Sequence, residues 1–153
     1  MQNFWRMQLH PAETGRSIRY TIDSLSAGYI GLDFTRDPGN LMEAKVKDLP
    51  EAQRDYMDFA TVMQRGDWVL VTAHHFPFAL VKVAGDYNHI HQPEPKLGLW
   101  FRHFRKVIDI HYYADYETNA HDWSQFRMTD AIALLSDPAG QSYKLMARWL
   151  QDE

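Results

Sequence analysis

The chain has 153 residues, 45% of them hydrophobic and 24% charged, which fits one globular domain and is too apolar for a disordered segment. It carries no cysteine, which excludes disulfides, thiolate metal sites and cysteine nucleophiles, and no apolar run approaches the roughly 18–20 residues of a membrane-spanning helix. The net charge of -4 weighs against a strongly basic nucleic-acid binder, although Arg102, Arg105 and Lys106 crowd into one segment around His103.

Asn3 to Leu9 alternates and is rich in aromatics, the pattern of a strand. His10-Pro11 ends it. Thr14 or Ser17 then caps a helix running to about Ala27, with Gly28 where a helix C-terminal glycine belongs. Tyr29 to Phe34 reads as a second strand and Arg36-Asp37-Pro38-Gly39-Asn40 as a turn. Leu41 to Asp48 is expected as a short helix, and Pro50 suits the first turn of another that reaches about Gln64. In that helix Tyr56, Phe59, Ala60 and Met63 share an apolar face.

Gly66-Asp67 turns the chain into a buried strand, Trp68 to Ala73, and Phe78 to Val83 forms the next, closing at Gly85-Asp86-Tyr87. A polar loop from Asn88 to Lys96 precedes a long extended stretch, Leu97 to Tyr113. Ala114 to Gln125 is a candidate hinge to two C-terminal helices, about Thr129–Leu135 and Ala139–Gln151. The second carries Tyr143, Met146 and Leu150 on one stripe. No internal repeat or low-complexity segment is present. Short strands joined by hairpins predict an α+β domain, a small, mostly antiparallel β-barrel with helices packed outside. One domain is expected over residues 1–153, with a core over 3–113 and C-terminal helices over 123–151.

Four segments in order resemble the PUA-like superfamily, and within it the EVE and YTH type of reader domain. They are Phe4-Trp5-Arg6 in the first strand, the glycine-bounded Gly28 to Phe34, Met63 to Val71 with its Gly66-Asp67 step, and Ala79 to Tyr87 with its Gly-Asp-Tyr ending. The resemblance covers roughly residues 3–113. Domains of this kind open McrB-like, modification-dependent restriction proteins, so it implies a non-enzymatic DNA reader. Such a reader would take a modified, methylated base from the duplex by flipping, and would target a nuclease or NTPase carried on a partner or a fused segment. A modified-RNA reader of the same fold is the alternative. The family usually carries a Trp soon after the second-strand glycine; Leu32-Asp33-Phe34 stands here instead.

By that resemblance Trp5, Phe34 and Tyr87 are expected as pocket walls, and Asp33 or Asn40 as the reader of the base edge. Asn40 also resembles the base-contacting Asn of the YTH turn, with Leu41 following it directly. Arg6, Arg36, Arg102, Arg105 and Lys106 are the expected phosphate contacts. Physical chemistry supports such a site: stacking on aromatic faces contributes roughly 1–3 kcal/mol per base against a flipping cost of a few kcal/mol. A buried methyl adds about 0.8 kcal/mol. The aromatic content of 14% exceeds what a core of this size needs.

Among eight histidines, His74 and His75 point to opposite faces of a strand. His89 and His91 share a face, and His103 or His111 would complete a set. With no acidic partner nearby at ligand spacing, neither a metal nor another cofactor is expected. There is no Gly-x-Ser-x-Gly elbow, no phosphate-binding glycine loop and no His-Glu-x-x-His, so no enzyme is expected. The alternatives are a small nucleotide-acting enzyme using the histidines with Asp33 or Asp86, and a protein adaptor presenting its C-terminal helices. The opening Met1 to Arg6 lacks the pattern of a signal peptide, so a cytoplasmic protein is expected. The abrupt ending at Trp149 to Glu153 is compatible with a piece of a longer protein.

Overall fold

The computed structural model describes residues 2–9, 16–73, 76–113 and 131–152. The N-terminal alternation forms β1 (Phe4–Gln8), with Trp5 and Met7 buried on one face. α1 (Ser17–Ala27) stops at Gly28, whose φ of 88° is left-handed and lets its N–H close on the helix carbonyls. β2 (Tyr29–Leu32) follows. At Gly31 a Cβ would overlap the Phe101 ring and the His103 carbonyl, so only glycine lets these backbones approach.

The two helices expected next are shorter than predicted. Leu41 to Asp48 forms turns and a 3-10 turn at Val46–Asp48. Pro50 to Gln64 divides into a 3-10 segment, Glu51–Tyr56, and a five-residue α2 (Met57–Thr61). The cause lies far along the chain: the Arg105 guanidinium donates to the carbonyls of Phe59 (2.8 Å), Ala60 (3.3 Å) and Met63 (2.7 Å), which a longer helix would have used internally.

β3 (Trp68–Ala73), β4 (Phe76–Val83), the two-residue β5 (Asn88–His89) and β6 (His103–Tyr112) complete the central sheet. The segment expected as a helix at Thr129–Leu135 contains instead β7 (Ile132–Leu135), antiparallel to β1. Ala114 to Gln125, and Thr129 itself, lie outside the described residues. α3 (Gln141–Asp152) matches the second expected C-terminal helix closely.

The strands run in the order β2-β6-β4-β3-β1-β7, with β5 also on β6. β1 and β3 are parallel; the other pairs are antiparallel. The sheet is a curled half-barrel, a mixed α+β architecture. Bulges promote the curl. Register slips between Leu80 and Lys82 of β4, opposite Asp109, whose φ of 51° is left-handed. The inner face holds the main core, including Trp5, Ile30, Phe59, Val69 and Phe101. On the outer face α3 packs Leu145 and Met146 against Leu70 and Leu80.

The Gly66-Asp67 step has a plain physical role. The Asp67 carboxylate, 2% exposed, accepts the N–H groups of Asn3 (3.0 Å) and Gln64 (2.9 Å) and the Trp5 indole N–H (3.0 Å). It ties β1 to the turn before β3. Among the described residues no helix is long and apolar enough to cross a membrane.

Candidate functional site

Where β2 ends, the chain crosses the open edge of the half-barrel in a series of side-chain-stabilised turns. Asp33 accepts the Phe34 N–H (2.8 Å), Asp37 the Gly39 N–H (3.2 Å) and Asn40 the Met42 N–H (2.9 Å). Just before β6, Arg102 donates Nε to Asp33 (2.8 Å) and Nη2 to the Phe34 carbonyl (2.6 Å). The segment is thereby held as a fixed ledge rather than an open loop.

Asp37 is the hub. One carboxylate oxygen lies 2.7 Å from His89 Nε2, and the other 2.8 Å from His103 Nε2. His103 Nδ1 is 2.7 Å from the Tyr87 hydroxyl, which accepts the Leu41 N–H (2.9 Å). β5 and β6 pair with His89 opposite His103, so both rings share one face, their centroids 4.8 Å apart. Phe34 packs edge-on to His103 at 5.2 Å.

The protonation states follow from the surroundings. Burial pushes the Asp37 carboxyl up, but the bonds from His89 and His103 outweigh it and hold it below the ordinary carboxylate range. Burial lowers His103 below the usual imidazole value, against the pull of Asp37. Burial also raises Tyr87 to about 12. The consistent assignment is a neutral His103 donating Nε2–H to an ionised Asp37 while its Nδ1 accepts the Tyr87 proton.

Beside this network a cleft of about 530 Å³ opens, lined by Arg36, Asp37, Pro38, Asp48, Leu49 and Pro50. Of its lining residues Arg36 is exposed, and the exposed Lys45 and Lys47 shortly precede Asp48 in the chain. Among the described residues Asp37, His89 and His103 form a set of metal-ligating groups, their donor atoms within 4.8 Å of one another.

The expected site residues divide. Asp33 is linked to Asp37 through Arg102, and Phe34 and Tyr87 through His103, while Arg36 and Asn40 lie in the same ledge. Phe34, 4% exposed, and the half-buried Tyr87, both expected as pocket walls, are not among the residues that line the cleft. Asn40 serves the turn. Trp5 is elsewhere: fully buried, its indole N–H bound to Asp67, it is a core residue. Arg105, 4% exposed, is a core arginine whose guanidinium is taken up by four backbone carbonyls, the fourth being Gly85 at 2.9 Å. Arg102 is committed to the ledge. Arg6 donates to Ser142 (3.0 Å) in a separate cleft of about 210 Å³ beside α3, and Lys106 is exposed on β6.

Sequence reasoning missed Asp37, His89 and His103 as a unit. Asp37 was legible only as a turn former, and its partners are 52 and 66 residues away. No known family model matches the chain, and no curated protein is significantly similar to it.

Proposed function

We propose that this chain is a nucleic-acid reader that takes one modified base into the cleft between residues 36–38 and 48–50. The observation that carries the reading is proximity: the segment 33–41, singled out by the resemblance to EVE and YTH domains, contributes Arg36, Asp37 and Pro38 to the cleft, and Tyr87 is hydrogen-bonded to that segment at Leu41. Pro38, Leu49 and Pro50 supply apolar walls for a base and its methyl group. Asp48 supplies acceptors for the exocyclic amino group of cytosine or adenine. Arg36 in the lining, with Lys45 and Lys47 exposed just before Asp48 in the chain, supplies cations for phosphates on an otherwise acidic chain.

DNA is the preferred ligand, with modified RNA the alternative, and a nuclease or NTPase on a partner or fused segment is the expected effector. Titrating short DNA duplexes and single-stranded RNAs with the same methylated base, at two salt concentrations, tests the reading. Preferential binding of modified DNA is expected. Equal affinity for every ligand, lost alike with salt, would contradict it.

The relay from Tyr87 through His103 and Asp37 to His89 favours a second reading, a small nucleotide-acting enzyme with His89 as general base. That reading predicts turnover of nucleotides or oligonucleotides that His89→Ala abolishes. Absence of turnover leaves the reader.

A further inference from the structure

We propose that Asp37, His89 and His103 bind a divalent first-row transition-metal ion through the Asp37 carboxylate and the two imidazole Nε2 atoms. The donors come from three separate parts of the chain and already point at one place. His89 and His103 are cross-strand neighbours on β5 and β6, and Asp37 lies 2.7 and 2.8 Å from their Nε2 atoms. With metal–ligand bonds of about 2.0–2.2 Å, neighbouring donors sit roughly 3.0–3.5 Å apart. Each Asp37–imidazole pair therefore needs to open by only a few tenths of an ångström, and all three donor atoms already lie within 4.8 Å of one another.

The surrounding shell holds the donors in that arrangement. The His103 ring is oriented by the Tyr87 hydroxyl at Nδ1 and by the edge of Phe34, and Asp37 by the Gly39 N–H. Partners of this kind fix the orientation of metal-binding imidazoles and carboxylates. On binding, His103 takes the Nδ1–H tautomer, and Tyr87 Oη, with two lone pairs, accepts from both that N–H and Leu41.

The local charge suits a dication. One guanidinium, Arg102, serves two carboxylates, Asp33 at 2.8 Å and Asp37 at 3.9 Å, so the group keeps a net negative charge. Asp37 and His89, 16% and 11% exposed, are reachable from solvent, and Asp37 lines the cleft. Further coordination positions are left to water or to a ligand entering there. Two imidazole nitrogens and one carboxylate, with no cysteine, favour zinc, iron(II), cobalt(II) or nickel(II) over magnesium or calcium, which prefer all-oxygen sites.

The proposal does not depend on nucleic-acid binding and is tested without nucleic acid. Chelator-treated protein is titrated with Zn²⁺ by calorimetry, and with Co²⁺ in the visible range. One ion per chain is expected, with affinity reduced at least about tenfold in His89→Ala and about 10–100-fold in Tyr87→Phe. His111→Ala, outside the cluster, should bind like the wild type. Should a variant fail to fold, imidazole NMR signals of the wild type decide: Zn²⁺ must move those of His89 and His103. No binding, undiminished binding by folded His89→Ala, or movement of other histidine signals alone would overturn the proposal.

Discussion

His89 and His103 stand opposite each other across β5 and β6, and both direct Nε2 at the carboxylate of Asp37. This one carboxylate therefore holds the ledge over the half-barrel edge to two strands. Asp37→Asn replaces one acceptor with an NH2 group that faces an imidazole N–H. Metal-free protein should lose about 1–3 kcal/mol, the cost of leaving a buried donor unsatisfied. Urea unfolding checks this, and an unchanged midpoint would show that the clamp contributes nothing.

The protonation of His103 gives a pH dependence with a definite sign. Its folded pKa is depressed, so below about 6.5 the unfolded chain binds the proton that the folded chain refuses. Stability should fall as pH drops through that value. Asp37, also depressed, adds a second loss when pH falls below about 3.9. Imidazole ¹⁵N spectra at pH 7 should show a neutral His103 with the proton on Nε2. An imidazolium signal there would refute the assignment.

Trp5→Phe should weaken the fold without touching recognition. It removes one of three N–H groups serving the buried Asp67 carboxylate, a loss of about 1.5–3 kcal/mol for a bond to a charged group. Unfolding and binding measured on the same variant separate the two effects. Loss of base discrimination in a folded Trp5→Phe protein would restore Trp5 to the site.

Arg105→Met should destabilise by at least about 3 kcal/mol, because several buried carbonyls lose their donor together. If the variant instead folds normally and loses only salt-sensitive nucleic-acid affinity, Arg105 is a phosphate contact after all.

Local patterns announced most of the framework. Alternation in Phe4–Gln8, the apolar run in Trp68–Ala73 and the glycine after Ala27 each act within a few residues, and each forms as read. Ile132–Leu135 was misread because a short apolar run has no period of its own. Pairing with β1, more than a hundred residues earlier, decides that it is a strand. The length of α2 depends in the same way on Arg105, far along the chain. The candidate site is half legible in the sequence: turn residues mark the ledge, while the acidic partner of the histidines lies on that ledge, far from them in the chain.

The central claim is that the cleft beside Asp37 reads a base. Its most direct test is the ratio of affinities for a modified and an unmodified duplex, differing at one base, in wild type and in Asp48→Ala. The account predicts a clear preference in the wild type and loss of about 1–3 kcal/mol of discrimination in the variant. No preference in the wild type, or a preference that survives Asp48→Ala undiminished, would contradict it.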